Sequence, residues 1–411
     1  MTKARAATKK RRRAAAKHRG AAVKRPAVKR RVVKRRGAAG AKRIRVGVVF
    51  GGRSVEHDVS LVSGRAIMEA LDPRRYEVVP ILVGRDGRWP TRIIERLLGR
   101  AAGLDVVIPM IHGTDGEDGA LQGLLTLAGV PFVGSAVLGS AVGMDKAVMK
   151  SLLVDAGLPT VRHRVFLWPE FEADPGGAAA IAERHCGLPL FLKPANGGSS
   201  VGVSKVRTPE ELEPALRLAF RYDRKVIAER AVDAREIECS VLGNDRPEAS
   251  VLGEIVPAGE FYDYESKYQD TGSRLIIPAP LETWQTDLAR DLAIRAFQAL
   301  DLSGMARVDL FLDRATGSLF LNEVNTLPGF TPISMYPKLW EASGLSFPRL
   351  VDRLVRLAFE RRRQREGLVT EYRPAKPRAR REAAAAASRA PEDPETRAAA
   401  GAPAEKRRLR A

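Results

Sequence analysis

From residue 44 onward the chain alternates short apolar runs with turn-forming breaks and amphipathic stretches. The first run, Ile44-Arg-Val-Gly-Val-Val-Phe50, is almost continuously apolar, as a strand buried on both faces of a parallel sheet requires. A Gly51-Gly52 turn follows, then a helix predicted from about 60 to 71, and further strands at 76–83 and 105–109. This strand–helix alternation predicts an α/β layer. A strand, a Gly-Gly turn and a helix together predict backbone N–H groups facing a ligand at the helix start. Gly-x-Gly-x-x-Gly is absent, which weighs against a dinucleotide fingerprint. The third run leads into His112-Gly-Thr-Asp-Gly-Glu-Asp-Gly-Ala-Leu-Gln-Gly123, a loop at a strand's C-terminal end, where open α/β sheets bind ligands. A lone histidine is more often a satisfied structural residue, but this loop position favours a functional one.

Past residue 144 the pattern changes. Met144-Asp-Lys146 opens a helix that ends near Gly157, and 188–203 reads strand, glycine loop, strand. Lys193 closes the first of these strands and Gly197-Gly-Ser-Ser200 forms the loop, which can fold over a triphosphate through its N–H groups. A plain hairpin turn fits the same residues, and the P-loop order is missing. Strands follow at 226–229 and 236–242, and a polar, aromatic loop at 262–272 has the character of a lid. A helix is predicted from about 283 to 300 and a closing helix from about 347 to 361.

Between those helices lie two alternating strands, 307–312 and 319–325, joined by Asp313-Arg-Ala-Thr-Gly317. Period-2 alternation puts Arg307 and Asp309 on one face, and Glu323 and Asn325 on one face. Pairing the strands gathers two carboxylates, an amide oxygen and a guanidinium, a donor set that suits Mg²⁺ or Mn²⁺ beside phosphates. The solvated face of an ordinary hairpin would read the same way in isolation.

Charge belongs to the ends. The formal net charge is +20, yet residues 1–43 hold 19 Lys and Arg with no acid, and 361–411 hold 15 against 7 acids, leaving the body mildly acidic. Residues 1–43 have too few large apolar side chains to bury a core and are expected to be a disordered basic tail. No apolar signal region stands in them. They suit either a weak polyanion contact, to nucleic acid or an anionic surface, or an inert solubilising role. The Ala/Arg/Pro-rich stretch 362–411 reads the same way. Cys186 and Cys239 give no disulfide framework, which fits a reducing cytoplasm, and no run reaches the ~18 apolar residues of a membrane span.

Six stretches, taken together, resemble the D-alanine–D-alanine ligases of the ATP-grasp superfamily. They are Gly51 to Ser60, His112 to Gly123, Lys193 to Gly202, Asp263-Tyr-Glu-Ser-Lys-Tyr268, Arg307-Val-Asp309, and Leu321-Asn-Glu-Val-Asn-Thr-Leu-Pro-Gly329, in family order across almost all of 44–360. The resemblance implies an α/β, three-domain ATP-grasp fold. An N-terminal parallel-sheet domain would span 44–140, a central domain with the glycine loop 141–235, and a C-terminal domain with the metal hairpin 236–361. It implies ATP and two Mg²⁺ or Mn²⁺ ions, D-alanine as substrate, a homodimer, and a place in peptidoglycan precursor synthesis.

Residue by residue, it implies that Asp309, Glu323 and Asn325 hold metal. Lys146, Lys193, Ser199, Ser200 and Lys267 would meet the phosphates, with Glu229, Arg230, Ala231, Val232 and Glu236 around adenine and ribose. Glu56 would hold the first ammonium, with His112 near the first carboxylate. Arg307 and the Gly329 N–H would form the oxyanion site, and Ser334 with the Met335 backbone would bind the second carboxylate. Glu56, Ser199 and Tyr268 would form one hydrogen-bonded set, and the Lys267-Tyr268 pair looks like the dipeptide-forming type. Competing readings are an ATP-grasp ligase taking D-serine or D-lactate second, and a basic-tailed nucleic-acid-binding protein with an idle body. The intact acidic and basic positions argue against the latter.

Overall fold

The computed structural model describes residues 42–99, 103–257, 272–369 and 372. Most of the expected lid, with Lys267 and Tyr268, and most of the expected basic tails, residues 1–41 and nearly all beyond 369, lie outside the described residues. Among the described residues no helix is long and apolar enough to cross a membrane.

The chain begins with β1 (Ile44–Gly51), α1 (His57–Ala70), β2 (Tyr76–Val83), α2 (Ile93–Leu98), β3 (Val106–Met110) and α3 (Ala120–Ala128). β1 lies between β2 and β3, both parallel to it. Val46 and Val48 of β1 pack with Ile67 and Ile108 on one face, and Val49 packs with Ile81, Val107 and Leu125 on the other. That two-sided burial is what the unbroken apolar run predicted.

Next come α4 (Val137–Met144), α5 (Lys146–Asp155), β4 (His163–Leu167), α6 (Trp168–Ala173), α7 (Pro175–Cys186), β5 (Leu190–Pro194), β6 (Ser204–Val206), α8 (Leu212–Ala219) and β7 (Lys225–Arg230). The four strands form an antiparallel sheet in the order β4-β7-β5-β6, closed by Phe166, Phe171, Leu190, Leu216 and Val226. α5 starts sharply because the Asp145 carboxylate accepts the N–H groups of Ala147 and Val148, both at 3.1 Å.

The last group is β8 (Ala234–Gly243), β9 (Glu248–Val256), β10 (Arg274–Ile276), α9 (Thr283–Ala299), β11 (Gly304–Asp313), β12 (Leu319–Asn325), α10 (Met335–Ala342) and α11 (Phe347–Glu366). Its five strands form a second antiparallel sheet, β10-β9-β8-β11-β12. Met149 and Leu153 of α5 share its core with Phe297, Val308 and Leu310.

Two details differ from the sequence reading. α1 starts three residues earlier, and the preceding glycine N–H groups are used internally: Gly51 donates to Ser60 Oγ at 2.7 Å and Gly52 to the Val83 carbonyl at 2.9 Å. They therefore do not present themselves to a ligand. α11 runs to Glu366, five residues beyond expectation. Its cationic end is held by carbonyls, with Arg361 donating to Phe132 O at 2.8 Å and Arg362 to Gly129 O at 2.7 Å. Leu350, Val351 and Leu354 of α11 pack into the core under β1 and β3, so the end of the fold closes on its beginning.

Candidate active site

The β11–β12 hairpin pairs as expected and gathers the four residues, with Arg307 opposite Asn325 and Asp309 opposite Glu323. Arg307 forks onto Asp309, with Nε to Oδ1 and Nη2 to Oδ2 both 2.7 Å, and its Nε lies 3.1 Å from Glu238 Oε2 on β8. Asn325 Nδ2 donates to Asp309 Oδ2 at 3.0 Å. Burial pulls the guanidinium pKa down, but Asp309 and Glu238 outweigh it and hold Arg307 charged. Among the described residues no three His, Cys, Asp or Glu side chains converge as a self-sufficient metal site. The hairpin offers two carboxylates and one amide, which fits a hard cation that completes its shell with phosphate oxygens and water.

Lysines line the neighbouring elements. Lys146 Nζ donates to the Gly197 carbonyl at 2.7 Å and stands 3.7 Å from Glu323 Oε2, linking the glycine loop to the acidic hairpin. Lys193 Nζ donates to Glu229 Oε2 at 2.7 Å. Glu229, only 2% exposed, also lies 3.0 Å from the Nζ of Lys150. Burial would raise the Glu229 pKa, yet the two lysines overcome it and keep the carboxylate ionised, below the ordinary range. Sequence reasoning missed Lys150. Its spacing of four from Lys146 was the available signal, since it sets both on one side of α5.

After Glu229 the chain leaves one antiparallel sheet for the other through Arg230 to Asp233. Arg230 N–H donates to Arg162 O at 2.9 Å and Ala231 N–H to Pro189 O at 3.1 Å, which fixes this crossing; Val232 follows, and Glu236 sits partly buried on β8.

Ser199 and Ser200 both take left-handed backbone, with φ of 52° and 58°. Such strain in two successive non-glycine residues costs ~1–3 kcal/mol each and is typical of ligand clamps. The loop is held in part by Ser199 Oγ, which donates to Glu56 Oε1 across a sequence separation of 143 residues. A Cβ on Gly198 would lie 3.2 Å from Glu56 Oε2, so the loop backbone itself approaches the carboxylate.

His112 is 5% exposed and both ring nitrogens have partners within the protein. Nδ1 is 3.1 Å from the Leu327 carbonyl, which can only accept, so Nδ1 carries the proton. Nε2, 3.2 Å away, then accepts from Ser63 Oγ, which itself accepts the Phe330 N–H at 3.1 Å. Burial lowers the His112 pKa, consistent with a neutral ring. His112 and Ser63 thereby pin the turn that carries Gly329. Beyond it, Ser334 Oγ accepts the Thr331 N–H at 3.0 Å, which holds the turn just before α10, and a Cβ on Gly329 would meet that oxygen at 2.7 Å. The Met335 side chain is buried beside Ile255 and Leu339, which leaves its backbone as the part at the helix start.

Glu117 was also overlooked. Its Oε1 accepts the Gly113 N–H at 2.8 Å, and burial, reinforced by the nearby Glu56 charge, pushes its pKa up from 4.5 to about 8. The unfolded chain ionises this group first, so its stabilising protonation is fully present below pH 4.5 and lost as pH rises to about 8. Glu117→Gln cannot ionise. Its melting temperature relative to wild type is therefore expected to climb between pH 5 and 8 and level off above that, in a pH series of thermal melts. A difference independent of pH would show that Glu117 titrates normally.

A parallel sheet, two antiparallel sheets, a strained Gly/Ser loop, paired lysines and an acidic hairpin are the parts of an ATP-grasp enzyme. The comparisons narrow the class. Residues 152–356 match the model of the D-ala D-ala ligase C-terminus, and residues 45–101 and 95–135 match that of the N-terminus. The chain is 47% identical over 344 residues to a D-alanine–D-alanine ligase of Halothermothrix orenii, covering 78% of this chain and 99% of the relative. It is 50% identical over 362 residues to D-alanine–D-alanine ligase A of Chromobacterium violaceum, covering 79% and 98%. The solved D-alanine–D-alanine ligase of Coxiella burnetii superposes with a TM-score of 0.69 at 36% identity, over 79% of this chain and 97% of that one. The VanG D-Ala:D-Ser ligase of Enterococcus faecalis gives 0.67 at 34%, over 77% and 100%. This chain belongs to the D-alanine–D-alanine ligase family.

Proposed function

We propose that this protein joins two D-alanines to D-alanyl-D-alanine with hydrolysis of ATP to ADP and phosphate, for peptidoglycan precursor synthesis. The observation that carries the proposal is the Ser199–Glu56 hydrogen bond, which brings the phosphate-type loop onto the acid at the start of α1, where an amino acid would sit. A carboxylate oxygen of the first D-alanine attacks the γ-phosphorus and ADP leaves, giving an acyl phosphate. The second D-alanine, its amine deprotonated, attacks the acyl carbon. The tetrahedral intermediate then expels phosphate, which carries away the attacking carboxylate oxygen.

Each step builds or moves negative charge, so the protein's part is positioning and electrostatic stabilisation. Lys146, Lys193, Ser199 and Ser200 face the phosphates in this proposal, joined by Lys267. Glu229, the Arg230–Val232 crossing and Glu236 surround adenine and ribose. Asp309, Glu323 and Asn325 hold Mg²⁺ or Mn²⁺, two ions, which when bound neutralise phosphate charge. Arg307 and the Gly329 N–H receive the oxyanion, and Ser334 with the Met335 N–H at the start of α10 takes the second carboxylate. His112 lies near the first carboxylate in this reading and also fixes the turn of Gly329, and Glu56 holds the first ammonium. The three sheets support a division into domains at 44–140, 141–235 and 236–361. Both cysteines are free and buried, with thiol pKa values pushed up to about 11 for Cys186 and about 12 for Cys239 by desolvation, in keeping with the cytoplasm. A homodimer and a weak polyanion contact of residues 1–43 complete the proposal, the first from the family resemblance and the second from 19 cations with no acid.

Phosphate release from ATP with D-alanine, L-alanine, D-serine, D-lactate or no addition tests the reading. Release that needs D-alanine, and dialanine as product, is expected; release only with D-serine or D-lactate as partner would transfer the chain to another ligase type. Glu56→Gln keeps an acceptor for Ser199 but removes the charge opposite the ammonium. Its KM for D-alanine is expected to rise about 10- to 100-fold, the ~1.5–3 kcal/mol of a hydrogen bond to a charged group. An unchanged KM would place the ammonium elsewhere.

A further inference from the structure

Lys150 has no part in the chemistry described above, yet it is completely buried, at 0% exposure. Its neighbours on α5, Met149 and Leu153, are ordinary core residues, and an apolar side chain would fill the stem's space without the cost of burying an ammonium. The ammonium is instead shared between two sheets. Nζ donates to the Asn322 carbonyl on β12 at 2.9 Å, one residue before Glu323, and lies 3.0 Å from Glu229 Oε1 at the end of β7. The second contact is an ion pair without an aligned hydrogen bond, so Glu229 Oε1 is buried with its hydrogen-bonding capacity unfilled. The other oxygen, Oε2, is held by Lys193. The carboxylate is thus neutralised and fixed while one acceptor stays available for an N–H donor such as the exocyclic amine of a purine base.

We propose that Lys150 is a positioning residue for the nucleotide: it orients Glu229 toward the base amine and, through the Asn322 carbonyl, ties that end of the cleft to the strand carrying Glu323. The inference rests on the ATP reading above and assigns Lys150 a role through Glu229, without contact to the nucleotide itself. It makes adenine recognition and hairpin placement parts of one rigid connection, in which a shift at one end moves the other. A lysine serving only to stabilise the fold would leave the two substrates' affinities unaffected relative to each other.

The test compares wild type, Lys150→Met, Lys150→Arg, Glu229→Gln and Lys150→Met/Glu229→Gln by ADP calorimetry and steady-state kinetics. Lys150→Met is expected to weaken ADP binding and raise the KM for ATP about 10-fold or more, the scale on which supporting groups act, with the KM for D-alanine within about 2-fold. Lys150→Arg recovers part of the loss. In the Glu229→Gln background the Lys150→Met change adds less than about 3-fold, because both act through one carboxylate. Equal losses for ATP and D-alanine, or full additivity in the double variant, would overturn the role. Should Lys150→Met not fold, Lys150→Arg alone decides: ADP affinity unchanged from wild type overturns it and a loss of about 3-fold or more upholds it. Wild-type protein that binds no ADP would instead overturn the nucleotide reading itself.

Discussion

Arg307→Ala is expected to lower kcat about 1,000-fold while ADP still binds. The guanidinium has no role at the base, and its proposed charge partner exists only once the oxyanion forms. Losing one preorganised donor to such an oxyanion costs ~2.7–4 kcal/mol of barrier. The substitution has a second consequence. Arg307 balances Asp309 and Glu238, whose side chains are largely shielded from solvent, and removing one partner of a buried pair costs ~3–5 kcal/mol. The variant is therefore expected to melt at a lower temperature than wild type, and its kinetics need measuring well below that point. Arg307→Lys separates the two effects. It keeps the charge and most of the stability but loses the planar fork that engages both Asp309 oxygens, so turnover stays low. Arg307→Ala within about 10-fold of wild-type kcat would remove Arg307 from the oxyanion site.

Asp309→Asn is expected to be nearly as damaging. The amide keeps one oxygen for Arg307 and Glu238 still balances part of its charge, so the variant is expected to fold but to melt below wild type. The hairpin is left with a single carboxylate, Glu323, opposite it. Cation affinity falls by at least the 10- to 100-fold typical of losing a supporting group. The Mg²⁺ concentration for half-maximal rate is expected to rise accordingly, with kcat at saturating Mg²⁺ still about 100-fold or more below wild type. Mn²⁺ binding in the presence of ADP, followed by electron paramagnetic resonance, reads the affinity without turnover. Unaltered Mn²⁺ binding would mean that the hairpin carboxylates serve only Arg307.

These two variants bear on residues that strand periodicity brought together. Alternation along 307–312 and 319–325 sufficed to put Arg307 with Asp309 and Glu323 with Asn325, because side-chain direction in a strand follows from the backbone alone. Which residue faces which depends on a register shift between Asp309 and Leu310 that the pattern does not show. The Gly197–Ser200 loop was legible as a loop for the same local reason. What could not be read was the set of partners supplied from far along the chain. His112 was expected near the first carboxylate; its own partners, Ser63 and the Leu327 carbonyl, lie 49 and 215 residues away and left no trace in the local pattern. Lys150 drew no notice in the sequence, because the groups that hold it, Glu229 and the Asn322 carbonyl, come from 79 and 172 residues away. Residues 362–366 are dense in arginine and read as tail, yet they continue α11, and Arg362 finds the Gly129 carbonyl on a loop of the first sheet. In each case a polar side chain was stabilised by a group that local patterning cannot supply.

In the proposed reaction the cleft activates a carboxylate by transferring phosphate to it. D-alanine labelled with oxygen-18 in its carboxylate, incubated with ATP and Mg²⁺, tests this most directly by mass analysis of the released phosphate. One labelled oxygen in inorganic phosphate for each dipeptide formed is expected. Dipeptide formed with unlabelled phosphate, or with the label in AMP, would exclude an acyl phosphate.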